Sequence, residues 1–320
     1  MNSERMCGMN NLLVTSNIVF PIFLVMLVGY LARRFGLMSE ETTKGCNKLV
    51  FRIFLPVSLC RSIMRVDPDK NISPALLLFA MLGALAVFAV CMLVVPRFEK
   101  ENSRRGVMIQ GIFRSNYAIF GIPLTEALFP QGDGGVAAMM VVAVIPIFNV
   151  LAVITLEIFR GGKFDLKRIV LGVLKNPLIW GCLIGFIVMK AGIPVPSVIN
   201  STVDRLASVA SPLALFALGA SLKPGKVAGN LKALALSVGG RLVAVPAVML
   251  TAAYLLGWRG VEFATLMIVF ASPTAVSSFT MAEQMGGDPD LAAQQVVFTT
   301  VLSSVTIFAM IFLFKTWGLF

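Results

Sequence analysis

Apolar runs of about 20 residues recur along this chain from end to end, separated by short polar or Gly/Pro-rich stretches. A helix of that length covers the ~30 Å hydrocarbon core of a bilayer. Only helices and closed barrels satisfy their backbone groups there, so the pattern predicts an all-α polytopic membrane protein. Ten transmembrane helices are expected, at about 12–35, 44–64, 73–96, 105–129, 135–159, 168–190, 197–221, 230–256, 261–284 and 291–314. The gaps are too short for a soluble domain. Composition agrees, with 58% hydrophobic and 13% charged residues against about 25% charged in a soluble domain. The first run, from about Leu12 to Ala32, follows a lone basic residue, Arg5. It is too long for a signal-peptide core and is expected to be a retained first helix.

The net charge of +11 is distributed as short basic clusters between apolar runs, which argues for cytoplasmic loops and against a nucleic-acid partner. Odd-numbered connections carry Arg33, Arg34, Lys44 and Lys48; Arg97, Lys100, Arg104 and Arg105; Arg160, Lys163, Lys167 and Arg168; and Lys223 and Lys226. The even ones are poorer, with Arg65, Lys70, Lys190 and Arg259. The positive-inside bias then places both termini outside.

Five cysteines, Cys7, Cys46, Cys60, Cys91 and Cys182, have no ligand spacing and read as small apolar filler, with no metal site and no cofactor. The chain contains no histidine, which removes His-dependent nucleophile dyads and H-E-x-x-H zinc sites. Its aspartates lie in or near connections, and no Walker A sequence occurs. An enzyme is therefore not expected.

Shifted against itself by 156 residues, the chain brings Pro21 onto Pro177, Pro56 onto Pro212 and Pro68 onto Pro224. The same shift brings Gly29 onto Gly185, Gly36 onto Gly192 and Gly83 onto Gly239. Chance would give roughly one or two such coincidences. One residue later in register, Phe113 meets Phe270, Ser115 meets Ser272, Ala118 meets Ala275 and Glu126 meets Glu283. This predicts a first five-helix repeat over 1–160 and a second over 161–320. Five crossings per copy make the second inverted, as in many secondary transporters.

The fourth helix carries Arg114, Ser115, Asn116, Gly121 and Pro123 at membrane depth, and the matching part of the ninth carries Ser272, Pro273, Thr274, Ser277 and Ser278. Polar, Pro-containing centres at equivalent positions point to broken helices. Half-helices starting at the breaks aim their N-terminal amides there, a field that favours an anion. Arg114 adds a full charge and a fork that matches carboxylate. Arg52 and Arg241 also lie within spans, and Glu157 near a span end; such charges usually face the bundle interior or a cavity.

At these residues the chain resembles the auxin efflux carrier family, which includes plant PIN-type carriers and bacterial malate or malonate permeases. The motifs are Ser115-Asn116-Tyr117 leading into Gly121-Ile122-Pro123-Leu124, Ala271-Ser272-Pro273 leading through Phe279 to Asp288-Pro289-Asp290, and Asn176-Pro177 opening the sixth helix. The resemblance implies a fold like that of bile-acid–sodium symporters, with a scaffold and a transport domain each drawn from both repeats. It also implies helices 4 and 9 that cross at their breaks around an anionic substrate. Asn116 matches the asparagine that contacts substrate carboxylate in auxin carriers. Ser115 departs from the proline of the plant carriers, and the long central loop of those proteins is missing. Both departures look bacterial and imply a bacterial cytoplasmic membrane.

The expected function is a secondary carrier of small organic anions, mono- or dicarboxylates, by alternating access. The substrate site is expected at Arg114, Ser115, Asn116, Pro123, Pro273, Thr274 and Ser277. The alternative is a transporter-like sensor or channel that binds the same ligand without coupled cycling. Protons are expected to be carried by Glu126 or Glu283 if carried at all, and a sodium site could draw on Gln110, Asn116, Ser277 or Gln294. The partners expected are a small organic anion and lipid, with a homodimer among the assemblies open to the chain.

Overall fold

A computed structural model describes residues 19–67, 73–129, 135–160 and 165–320. Arg5, Cys7, Pro68, Lys70, Lys163 and positions 12–18 of the expected first span lie outside the described residues. Among the described residues the structure is helical, without strands.

Helix boundaries follow local chemistry. Helix α1 covers 19–34, and Gly36 just beyond it takes the left-handed conformation, φ 75°. Ser39 caps α2 (Glu40–Leu49) by accepting from the Thr42 amide at 3.0 Å, and Glu40 and Glu41 complement the helix dipole. A π turn, Val50–Phe54, joins α2 to α3 (Leu55–Met64). Helix α4 (Pro74–Phe98) starts on a proline, where the missing N–H is harmless. Then come α5 (Asn102–Phe113), α6 (Tyr117–Leu128) and α7 (Gly135–Phe159).

Helix α8 (Leu166–Lys175) precedes α9 (Pro177–Lys190), and the chain bends by 56° between them. Asn176, at the bend, caps α9 by accepting from the Leu178 amide at 3.0 Å. The sixth run is thus a bent pair rather than one helix. Helix α10 (Ser197–Ser221) ends near Gly219, and α11 (Val227–Gly239) runs through a second π turn, Gly240–Ala244, into α12 (Val245–Leu255). The chain closes with α13 (Gly260–Ala271), α14 (Ser277–Met285) and α15 (Pro289–Thr316), the last capped by Asp288.

Among the described residues five helical stretches are long and apolar enough to cross a membrane, and six if the bent α8–α9 pair counts as one span. The other runs identified in the sequence are not among these stretches, for visible reasons. Two are broken into short halves, α5–α6 and α13–α14. A third, α2–α3, carries several charges and a π turn, and the first extends outside the described residues.

Small residues set the helix crossings, as expected where lipid is as apolar as the side chains and close packing must hold helices together. Gly29 of α1 lies so close to the main chain of Phe216 in α10 that a Cβ would collide with its carbonyl. Gly185 of α9 lies in the same way against the main chain of Cys60 in α3. The 156-residue offset converts one of these contacts into the other.

The polar stretches gather at one end. The Asp288 amide donates to the Ser103 carbonyl, and Gly286 sits beside the Arg160 side chain. Arg33, Glu40, Lys44, Lys223, Glu283 and Asp290 surround one small cavity at the same end. The odd-numbered connections therefore share a face. Lys226 is drawn above its usual pKa by its hydrogen bond to Asp290, at 2.5 Å. Far from this end, Asp204 of α10 is held by Arg61 and Arg65, at 2.7 and 2.5 Å.

Candidate functional site: a crossing of two broken helices

Each break has a local cause. In the first, Arg114 and Ser115 leave helical geometry between α5 and α6, with Arg114 extended at ψ 109°. In the second, Pro273 removes a donor and favours extension of Ser272, whose ψ is 151°. Extended backbone has free hydrogen-bonding groups, and the two breaks use each other. Ser115 and Thr274 form an isolated antiparallel bridge. The Asn116 amide donates to the Pro273 carbonyl at 2.8 Å, and the Ala275 amide to the Arg114 carbonyl at 3.3 Å. Thr274 adds Oγ1–H to the Gly111 carbonyl at 2.7 Å, while its amide donates to Thr299 Oγ1 on α15 at 3.2 Å.

The crossing is enclosed by protein. Residues Gly106–Phe113 of α5 and Phe263–Ala271 of α13 are buried throughout. Irregular backbone at membrane depth is tolerated under that condition. Gly111 lies against the far end of the Gln295 side chain of α15, which a Cβ there would displace.

Helices α6 and α14 begin at the crossing, and neither start has a side-chain cap. Two sets of N-terminal amides thus carry partial positive charge into one place. Arg114 is 4% exposed. Its Nη2 donates to Asn149 Oδ1 of α7 at 2.7 Å, and its Nη1 reaches the Met281 sulfur at 2.8 Å and Gln110 Oε1 at 3.5 Å. Among the described residues no carboxylate pairs with it. Nearby buried polar atoms, Ser115 Oγ, Asn116 Nδ2 and Ser278 Oγ, have no hydrogen-bond partner among the described residues. On α15, Gln294 accepts from Asn230 at 2.9 Å, but its Nε2 and that of Gln295 are unpartnered.

A second guanidinium, that of Arg241 in the π turn between α11 and α12, is fully buried. Its Nε donates to the Ser272 carbonyl at 2.7 Å, and its Nη2 to Val269 at 3.1 Å. Its Nη1 donates to Ile112 at 3.1 Å and Phe113 at 3.3 Å. These are the carbonyls left over where α13 and α5 end, so Arg241 holds the negative ends of both half-helices.

Of the residues singled out in the sequence, Arg114, Ser115, Asn116, Pro273, Thr274 and Gln110 come together here, with Ser277 half-buried at the start of α14. Pro123 and Glu126 do not join them and are exposed on α6. Glu126 and Glu283 align in sequence but differ in setting, for Glu283 is half-buried and accepts a hydrogen bond from Asn47 of α2. Sequence reading missed Asn149, Met281, Gln295 and Thr299, and gave Arg241 no role. A lone asparagine in the apolar run of α7 was the available signal for Asn149.

Long apolar helices packed around a polar, enclosed crossing of two broken ones are the arrangement of a membrane protein. The chain belongs to the family described as Membrane transport protein, whose pattern matches residues 14–311, the auxin efflux carrier family. It is 24% identical over 307 residues to an uncharacterized transporter of Methanocaldococcus jannaschii, covering 92% of this chain and 97% of that one. It is 23% identical to a Rhizobium meliloti protein named "Putative malonate transporter" (95% and 97% covered). With auxin efflux carrier component 8 of Arabidopsis thaliana it shares 22% identity (92% and 95% covered). These relatives are transporters and carriers, not enzymes, and this chain is a membrane transporter.

Proposed function

We propose that this transporter is a secondary carrier of small organic anions, mono- or dicarboxylates, bound where the two broken helices cross. The observation that carries the reading is Arg114, a buried cation with no carboxylate partner among the described residues, beside two uncapped helix N-termini. An anion would complete its charge, and the unpartnered Nδ2 of Asn116 is placed to donate to it. Asn116, Ser115, Thr274 and Pro273 shape the site, with Ser277 at its edge. The names of two relatives speak of malonate and of auxin, both organic acids.

The carrier works by alternating access on ten spans in two inverted repeats, 1–160 and 161–320, with α5–α6 as the fourth span and α13–α14 as the ninth. The reciprocal contacts of Gly29 with Phe216 and Gly185 with Cys60 support this. So does the left-handed conformation shared by the aligned Gly36 and Gly192. Exchange of roles between the two copies would give the outward- and inward-facing states. The basic end faces the cytoplasm of a bacterial cell, leaving both termini outside. If protons are coupled, Glu283 is better placed to carry them than the exposed Glu126.

The test is uptake and counterflow of labelled malate, malonate and indole-3-acetate in proteoliposomes, with and without a pH gradient. Saturable exchange in the wild type that Arg114→Ala loses is the expected result. Exchange of equal affinity in a folded Arg114→Ala protein would sink the site assignment. No exchange of any of the three by folded wild type would sink the carrier reading for these acids.

A further inference from the structure

In carriers with broken helices, unwound carbonyls and the C-terminal ends of half-helices are where coupling cations bind, while N-terminal ends face anionic substrates. Both kinds of end meet in this crossing. The N-terminal ends of α6 and α14 are uncapped. The C-terminal ends of α5 and α13 are not empty in that sense. Four of their carbonyls, from Ile112, Phe113, Val269 and Ser272, converge on the guanidinium of Arg241 at 2.7 to 3.3 Å.

The chain delivers Arg241 there by a specific local device. Residues Gly240–Ala244 form a π turn in which Arg241 is buried, an irregularity frequent at functional sites. At Gly240 the turn rests on α5, where a Cβ would stand only 3.2 Å from the Ile112 side chain. The other π turn, Val50–Phe54, also carries an arginine, yet Arg52 is exposed. A π turn with an arginine does not by itself bury the charge; the convergent carbonyls at Arg241 make the difference.

We infer that Arg241 is a tethered replacement for a coupling cation: it fills, with a covalently held positive charge, the carbonyl site that a free monovalent ion would otherwise occupy. The consequence is a transporter whose crossing is assembled without sodium. This rests on the carrier reading only for its consequence in transport; occupancy of the carbonyl site is a matter of binding and stability.

The test removes the tether and supplies the ion. Thermal unfolding of purified, detergent-solubilised Arg241→Ala would be measured against guanidinium, sodium, potassium and choline chlorides at matched millimolar concentration. A ligand that binds only the folded state raises its stability. The expected result is a saturable rise in midpoint with guanidinium or sodium over choline in Arg241→Ala, and none in the wild type. A variant that no small cation stabilises would overturn the inference, as would a wild type that responds to sodium over choline. If Arg241→Ala does not accumulate, Arg241→Lys is compared with Arg241→Gln. Lysine should keep a sodium-independent fold, and glutamine should need a cation. Equal stability of the two without any cation response would again overturn it. Counterflow of labelled malonate by wild type in sodium and in choline separates the two proposals. Anion exchange together with a cation-blind Arg241→Ala sinks this inference alone. A cation-responsive Arg241→Ala without exchange in wild type leaves it standing and sinks the carrier reading.

Discussion

The two breaks that meet at the centre of the molecule occupy equivalent positions in the sequence, yet they are unlike in chemistry. The first, between α5 and α6, is short and carries a cation, Arg114, with unpartnered donors at Ser115 and Asn116. The second, between α13 and α14, is longer, neutral and better satisfied: Pro273 and Thr274 bond to Asn116, Gly111 and Thr299. Their flanks differ too. Helix α14 is largely buried, whereas α6 exposes Pro123 and Glu126. The difference teaches how two breaks at aligned positions can be built from unlike chemistry. The first break leaves Ser115 Oγ and Asn116 Nδ2 without partners among the described residues, whereas the second uses its groups to hold the crossing together.

Substitutions can break or sharpen that division. The largest effect is expected from Arg114→Ala, which should weaken carboxylate binding by about 10²- to 10³-fold, the loss typical of a buried, hydrogen-bonded charge. Equilibrium binding of labelled malonate would measure it, and Arg114→Lys should recover only part because the bidentate fork is lost. Asn116→Ala comes next. Its Nδ2 has no partner among the described residues, so affinity should fall by roughly 10-fold or more while the thermal midpoint hardly moves. A fall in midpoint equal to that of a core mutation would contradict the assigned division.

Gly111→Ala should act through the fold, costing about 1–3 kcal/mol because the new methyl overlaps Gln295. Chemical denaturation would register that change. Thr274→Val removes one hydrogen bond to Gly111, about 1 kcal/mol, and should leave affinity nearly unchanged. If Thr274→Val instead abolished binding at full stability, the second break would be a ligand site too. The smallest effect is expected at Glu126→Gln, which should leave uptake untouched with or without a pH gradient. Under proton coupling, Glu283→Gln should remove the dependence on the gradient, and the opposite pattern would reverse the assignment of the two glutamates.

Much of this arrangement is legible in the sequence. Apolar runs, glycine and proline coincidences and the polar centres near Arg114 and Pro273 located the helices, both breaks and most residues that meet there. Caps at Ser39, Asn176 and Asp288 follow from residue type and position. Glu126 and Glu283 align in sequence yet differ in setting, because alignment compares positions in a chain and not their surroundings. The motif attaches Pro123 to the site, although its place one turn or more along α6 leaves it exposed. Arg241 could be recognised as a charge at membrane depth, but its partners are main-chain carbonyls, and main-chain atoms have no signature in residue identity.

The sequence by itself determined that the chain is a helical membrane protein with two polar interruptions, because hydropathy, proline and glycine act locally and over lengths of one helix. Tertiary structure alone decided which charges have partners. It placed Arg114 among Asn149, Gln110 and Met281 and gave Arg241 the ends of α5 and α13. It also separated two aligned glutamates into one half-buried and one exposed. The physical reason is that the energy of a buried charge depends on the few groups within hydrogen-bonding reach, and here those groups come from helices far apart in the chain.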